Sequence, residues 1–374
     1  MAQAKHTREQ VREVMESFPV WGDFRDAAPY GSGHINDTYR VSVCLAGTPV
    51  HYLLQRINHD IFRRPDQVME NIVRVTEHLY GRLTAAGESD VTRRTLTVVP
   101  ARDGQPFTRD AAGNWWRLYL FIEQARTYDV IETVDQAREA ARAFARFQNR
   151  LADLPAPRLH ETIPAFHNTL VRLEALDHAV TEDVRGRRKD VADELAFIDA
   201  RREACGRLLD RHARGEIPER ITHNDTKINN VMLDDATGEG VCVIDLDTVM
   251  PGLALYDFGD MVRSATAAAR EDERDLSQVG SRADMFEALA RGYLAEAAFL
   301  NEAELEELVF SGPLITLTIG IRFLTDYLSG DVYFKTHRPG QNLDRCRTQL
   351  HMVRCMEDQT AERERLVREI TRAK

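Results

Sequence analysis

The sequence predicts an α+β chain of two lobes, a small β-rich N-terminal lobe followed by a large, mainly helical C-terminal one. Three observations carry this. The chain has 374 residues, more than one ordinary domain holds. Its β-forming stretches, separated by turn residues, crowd into the part before residue 124. Beyond residue 134, apolar residues recur mostly at helical spacing. The expected division is 1–123 for the first lobe and 124–374 for the second.

Each element follows from local pattern. His6 to Phe18 sets Val11, Val14, Met15 and Phe18 on one helical face. Tyr30 to Ala46 begins with glycines and ends in alternating β-formers, a turn followed by a strand. Val50 to Ile57 and Leu96 to Pro100 read as further strands, and the turn Gly113-Asn114 leads into a strand from Trp115 to Glu123. Between them, Pro65 to Leu83 places Val68, Ile72, Val75 and Leu79 on one helix face. In the second lobe Ala137, Ala140, Ala141, Phe144 and Phe147 form a stripe, and Leu195 to Leu209 holds another. Asn230 to Leu233 and Val241 to Asp245 are two short strands around the turn Asp234 to Gly240. From Asp284 the pattern is helical, ending in a highly charged stretch expected to be a solvated helix.

Composition narrows the function. With 49 Lys plus Arg against 60 Asp plus Glu, the net charge is −11, which argues against a nucleic-acid partner because phosphate backbones need a basic surface. The most apolar stretch, Val309 to Ile321, is too short to span a bilayer and is broken by Gly312 and Pro313, so no membrane partner is expected. The N-terminal twenty residues lack an apolar signal core. Five widely spaced cysteines without a C-x-x-C pair point away from structural zinc or a disulfide framework, and toward a reduced, cytoplasmic setting.

The most informative stretch is Ile221 to Asp247, ITHNDTKINNVMLDDATGEGVCVIDLD. It holds His223-x-Asp225, then Asn230, then Asp245 in an apolar strand. Phosphoryl transfer needs a carboxylate to receive the proton of the attacking hydroxyl and oxygen ligands to hold Mg²⁺ against the phosphates. Asp225 meets the first need; Asn230 and Asp245 meet the second. By itself, an H-x-D-x-x-x-x-N string recurs by chance in many proteins.

His223-x-Asp225-x-x-x-x-Asn230 followed by Ile244-Asp245 resembles the catalytic and metal loops of the aminoglycoside phosphotransferase/choline kinase group, within the protein-kinase-like fold. The fuller strings GSGHINDTY (Gly31 to Tyr39), LQRIN (Leu54 to Asn58), HNDTKINNVMLD (His223 to Asp234), VIDLDTVMPG (Val243 to Gly252) and FLTDYLSGDVYFK (Phe323 to Lys335) resemble the bacterial N-acetylhexosamine 1-kinases. The resemblance implies ATP- and Mg²⁺-dependent phosphorylation of the anomeric hydroxyl of N-acetylglucosamine or N-acetylgalactosamine, with Asp225 as base. It also implies a phosphate-covering turn, here Gly31, Ser32, Gly33 and Asn36, and adenine contacts on the hinge from Phe121 through Glu123 to Gln124.

The sequence departs from the group pattern in three places. Asn224 stands where glycine is common. Asn36 replaces the third glycine of G-x-G-x-x-G, a change that left-handed-tolerant asparagine permits. The strand expected to carry a phosphate-binding lysine reads Leu53-Leu54-Gln55-Arg56, so either Arg56 supplies the charge, or Gln55 occupies the position and the charge comes from elsewhere. Glu70, with Asn71 adjacent, is the candidate partner on the following helix.

Other residues admit two readings. Asp247 is a metal ligand or a loop-bonding carboxylate. His34 is a substrate contact or a surface histidine. Arg322 and Tyr333 are sugar contacts or part of a salt-bridged helix face, with Asp326 and Asp331 nearby. Asp257 and Asp260 read as braces for the catalytic loop, His223 as a structural histidine, and Trp115 and Trp116 as core. The alternatives within enzymes are kinases of choline, homoserine, a thioribose or an aminoglycoside; outside them stands a non-catalytic nucleotide-binding protein of the same fold. The chain is expected to act as a monomer or weak homodimer.

Overall fold

The computed structural model describes residues 6–31 and 35–373, so the expectations for Ser32, Gly33 and His34 lie outside the described residues. The chain opens with α1 (Arg8–Met15) and the strands β1 (Asp23–Pro29), β2 (Asp37–Leu45) and β3 (Thr48–Ile57). Helix α2 (Pro65–Ala85), the single turn α3 (Val91–Arg94), and β4 (Val98–Val99), β5 (Thr108–Arg109), β6 (Trp115–Leu120) and β7 (Ala125–Arg126) follow. Helices α4 (Val134–Leu151), α5 (Thr169–Glu182), α6 (Ala192–Asp199) and α7 (Arg207–Ala213) lead to β8 (Arg220–Thr222). After β9 (Val231–Asp234), β10 (Gly240–Val243) and β11 (Met250–Gly252) the chain is helical: α8 (Ala254–Ala265), α9 (Ala283–Glu296), α10 (Glu302–Ser329), α11 (Gln341–Asp358) and α12 (Thr360–Arg372).

The chain divides into two compact units. The first comprises Met1–Asp129, Asp153–Ile163 and Asn230–Met250; the second comprises Val130–Ala152, Pro164–Asn229 and Pro251–Lys374.

In the first unit an antiparallel sheet runs β1-β2-β3-β6-β4, with β5 also on β6, and a smaller sheet runs β10-β9-β7. Alternation in β2 buries Tyr39, Val41 and Val43, and Tyr39 and Val41 meet Leu54, Trp116, Leu118 and the apolar face of α1. The register sets Gln55 opposite Arg117 and Arg56 opposite Trp116. Strand β1, absent from the sequence reading, is a polar edge strand whose residues are mostly exposed, so no alternation marks it. The expected strands at Leu96 to Pro100 and Trp115 to Glu123 shorten to β4 and β6.

Two further differences concern the metal hairpin and the helices. Asp245 does not lie in a strand: β10 ends at Val243, and Asp245 takes a left-handed φ of 59° that a strand cannot contain. The stretch Leu195 to Leu209 is interrupted between α6 and α7 by a short 3₁₀ turn.

The second unit is built on α10, which packs against α5, α8 and α11, while α4 packs against α9. An Asn301–Glu304 capping box opens α10. This helix is long and apolar enough to cross a membrane, yet it is mostly buried in the protein, as a core helix is. Helix α12 is not wholly solvated, since Arg363, Val367 and Ile370 are buried.

Candidate functional site

The first unit holds the phosphate and metal candidates. Gly31, at φ 81°, opens the turn. At its far end the Asn36 amide donates to Asp247 Oδ2 at 2.7 Å and its carbonyl oxygen accepts from the Asn58 N–H at 3.0 Å. Arg56 is engaged elsewhere, 2.6 Å from Asp37. Gln55 donates to Thr38 Oγ1 and accepts from Arg117 Nε, both at 3.0 Å. Arg117 also pairs with Asp247, and both side chains are buried. Burial by itself would lower the Arg117 pKa, but Asp247, Tyr119 and Asp245 outweigh it and hold the guanidinium above its ordinary value. The buried cation of this sheet therefore sits on β6, not on the β3 pair that sequence reasoning weighed.

Asp247 is a loop-bonding carboxylate: Arg117 and Asn36 take its two oxygens, and its carbonyl accepts from Thr162 Oγ1 at 2.8 Å. On α2, Glu70 turns to His160 at 2.8 Å, while Asn71 is the inward residue. The Asn71 amide donates to the Val249 carbonyl at 3.1 Å and exchanges bonds with the His160 backbone. The turn after Asp245 is thus tied at Asp247 and at Val249.

Asn230 is buried at the start of β9, and its carbonyl accepts from the Ile244 N–H at 2.9 Å. That bond keeps it beside Asp245, whose side chain is exposed. One amide oxygen and one carboxylate are hard oxygen donors, a set suited to Mg²⁺ that completes its shell with phosphates and water. Among the described residues no three His, Cys, Asp or Glu side chains gather into a metal cluster.

At the hinge, the Phe121 ring packs edge-on against Tyr30 with centroids 5.2 Å apart, and Glu123 approaches His51 Nδ1 at 2.5 Å. Arg93 donates to the carbonyls of Glu123 at 3.0 Å and Gln124 at 2.5 Å. Trp116 is core, as read from the sequence.

The second unit holds the acceptor-side candidates. Asp225 follows β8 on a loop braced from α8: Asp257 accepts the backbone N–H of His223 at 2.8 Å and of Asn224 at 2.7 Å, and the Gln148 amide at 2.6 Å. Burial drives the Asp257 carboxyl up to about 7 against the pull of those donors. Asp260 accepts the Thr226 N–H at 3.1 Å and pairs with Arg263. Asn224 stands at φ 66°, where its side chain tolerates the conformation that glycine supplies in the group pattern. The Asn224 carbonyl accepts from His167 Nε2 at 2.8 Å. His223 is buried against Phe144 and Phe147, a structural role.

Two participants were missed in the sequence. Lys227 Nζ lies 2.8 Å from Asp225, whose charge raises the lysine pKa. Buried His167 is pushed down to about 4 by burial, against the attraction of Asp260 and Asp225. Farther along, Arg322 sits among the rings of Phe166, Tyr333 and Phe334 at 5.5 to 5.7 Å. Its guanidinium reaches the Tyr333 hydroxyl at 3.4 Å. Asp326 accepts the backbone N–H groups of Val332, Tyr333 and Phe334 and so shapes the turn that presents exposed Tyr333. Asp331 is taken up by Arg187 and Asn342.

A sequence model of the phosphotransferase enzyme family matches residues 26–303, most of the chain and all of the Asp225–Asp245 constellation. The chain belongs to this family. Its fold is the kinase-like one, an antiparallel sheet region followed by a mostly helical part. Similar solved structures agree in fold. A microcompartment-associated aminopropanol kinase is 19% identical with a TM-score of 0.61, covering 95% of this chain and 98% of that one. An ethanolamine kinase from Plasmodium vivax is 14% identical with a TM-score of 0.53, covering 90% and 83%. A spectinomycin phosphotransferase solved with ADP and spectinomycin is 12% identical with a TM-score of 0.54, covering 96% and 100%.

Proposed function

We propose that this member of the phosphotransferase family is an ATP-dependent small-molecule kinase that phosphorylates the anomeric hydroxyl of an N-acetylhexosamine. The observation that carries the reading is the placement of Asp225. It is held on a loop by two backbone bonds to Asp257, with the half-buried Arg322 and the exposed ring of Tyr333 in the same unit.

Asp225 orients the acceptor hydroxyl and takes its proton as the oxygen bonds to the γ-phosphorus, while the bond from that phosphorus to the β,γ-bridging oxygen breaks and ADP leaves with the bridging oxygen. An anomeric hydroxyl is more acidic than an ordinary alcohol, so one carboxylate suffices. Asn230 and Asp245 would hold Mg²⁺, which would supply neutralisation of the phosphate charge. Gly31 and Asn36, at the two ends of the glycine-rich stretch, serve phosphate binding, and the Phe121 to Gln124 segment carries the adenine edge on backbone groups. We assign the nucleotide role to the first unit, which adds Asp153–Ile163 and Asn230–Met250 to the lobe read around 1–123, and the acceptor role to the second.

Arg322 also bears on the acceptor. A guanidinium repels cationic acceptors, whereas hydroxyls and an acetamido carbonyl accept its hydrogen bonds. The second reading, an amino-alcohol kinase, draws on the aminopropanol and ethanolamine kinases among the structural neighbours. The test is ATP consumption against free sugars, choline, homoserine and an aminoglycoside, with phosphorus NMR of the product and D225N in parallel. An anomeric phosphate from N-acetylhexosamines, lost in the variant, is expected. Turnover only with an amino alcohol replaces the sugar reading, and no turnover with any acceptor favours a binding protein.

A further inference from the structure

The buried charge in the first unit calls for an explanation that the kinase reading does not itself contain. Strand β3 offers no lysine: Gln55 points into a polar chain and Arg56 is spent on Asp37. One strand over, directly opposite Gln55 in register, Arg117 is fully buried. A planar guanidinium donates in two directions at once, which an ammonium on a flexible stem does less well. Arg117 uses both, with Nε on Gln55 and Nη1 on Asp247.

Asp247 is the node of this arrangement. It lies two residues beyond Asp245, and its second oxygen takes the amide of Asn36, the last residue of the glycine-rich turn. One carboxylate thus ties the end of that turn to the loop that carries the metal candidate. Left without the guanidinium, this buried carboxylate loses the partner on one of its two oxygens, and the attachment between the turn and the loop loosens.

We propose that Arg117 is the positioning residue of the phosphate and magnesium half of the site, fixing through Asp247 both the Asp245 loop and the Asn36 end of the turn, in place of a lysine on β3. The inference rests on the kinase reading, since it gives Asp245 a metal to hold. Arg117 touches no reacting atom. Its effect is on how well preformed the oxygen ligands are, as outer-sphere partners of metal ligands act elsewhere.

The test is calorimetric titration with a β,γ-imido analogue of ATP, with and without Mg²⁺, on wild type and R117K, accompanied by thermal unfolding without ligand. The expected result for R117K is a roughly tenfold to hundredfold loss of the Mg²⁺-dependent part of the affinity. Binding without Mg²⁺ stays close to wild type. Should R117K fail to fold, R117Q combined with D247N removes both buried charges; it is expected to unfold at a higher temperature than R117Q alone and still to show the weakened Mg²⁺ dependence. Folded R117K with wild-type Mg²⁺ dependence overturns the inference alone. Wild-type protein that takes up no nucleotide in either condition overturns the kinase reading and the inference with it.

Discussion

Lys227 Nζ stands 2.8 Å from the Asp225 carboxylate, an ion pair formed across one intervening residue of the loop after β8. The pair gives the candidate base a fixed cationic neighbour. Replacing Asp225 by Asn is expected to lower kcat by roughly 10²–10⁴, the usual range for a general base. K227M removes a charge-assisted bond and is expected to lower kcat about tenfold. Neither change alters Mg²⁺–nucleotide affinity, so steady-state kinetics beside nucleotide titration checks both. A K227M variant with unchanged kcat would make Lys227 a solvated bystander.

His167 gives a pH dependence whose sign is fixed by its burial. Its folded pKa is lowered to about 4 from an ordinary 6.5, so the unfolded chain binds a proton that the folded protein refuses between these values. Stability from this group is intact above about pH 6.5 and falls as pH drops toward 4, by up to about 3 kcal/mol. Asp257, raised to about 7, has the opposite sense: its contribution is present below the ordinary carboxylate value and lost as pH rises through about 7. Total stability therefore changes less with pH than either group alone. Comparing wild type with H167Q by denaturant unfolding from pH 4 to 7 isolates the histidine. The advantage of H167Q should grow as pH falls, and parallel curves would refute the assignment.

The Asp225–Asn230–Asp245 order was legible because those polar residues stand just outside the short apolar strands β8, β9 and β10, where a charged or amide side chain needs a reason. Helices α2 and α4 were legible from their stripes. Arg117 was not, because its partners Gln55 and Asp247 lie 62 and 130 residues away, and an arginine within WWRLYL carries no local sign of burial. His167 was hidden in the same way, since its bond to Asn224 spans 57 residues. Asp247 could be weighed only as one of two things until both its oxygens were seen to be taken. The common cause is that spacing reports periodicity along one element, whereas these partners meet through register and packing.

Helix contacts in the second unit predict which glycines tolerate a methyl group. A Cβ on Gly292 would stand 2.2 Å from the Arg138 carbonyl oxygen, and one on Gly259 would stand 2.4 Å from that of Ser311. Both obstacles are backbone, so α9 would have to part from α4, or α8 from α10. G292A and G259A are each expected to lose about 1–3 kcal/mol. At Gly320 the nearest atoms are the tip of Leu350 at 3.2 Å, which can turn aside, and the Gln349 Cβ at 3.3 Å, which needs to give by only a few tenths of an ångström. G320A should be close to neutral, because alanine gains up to about 1 kcal/mol in helix propensity. Urea midpoints of the three variants test the ranking, and a G292A as stable as G320A would contradict the close approach.

Arg322 gives the sharpest test of acceptor chemistry. Its guanidinium is enclosed by Phe166, Tyr333 and Phe334, so burial lowers its pKa while the Tyr333 hydroxyl pulls the other way. A cation placed there pays its desolvation best when a ligand oxygen completes its hydrogen bonds. R322M is expected to raise the KM of the sugar about tenfold to a hundredfold, the worth of a hydrogen bond to a charged donor. The KM for ATP should stay unchanged, because Arg322 lies in the unit that carries Asp225 and not the metal pair. Y333F is expected to change the sugar KM only a few-fold, since its hydroxyl meets Arg322 at 3.4 Å, near the limit of a hydrogen bond. An amino-alcohol acceptor, by contrast, should improve in R322M as the repulsion is removed. If R322M leaves the sugar KM at the wild-type value, the guanidinium serves only to pack three rings, and acceptor selection lies elsewhere in the second unit.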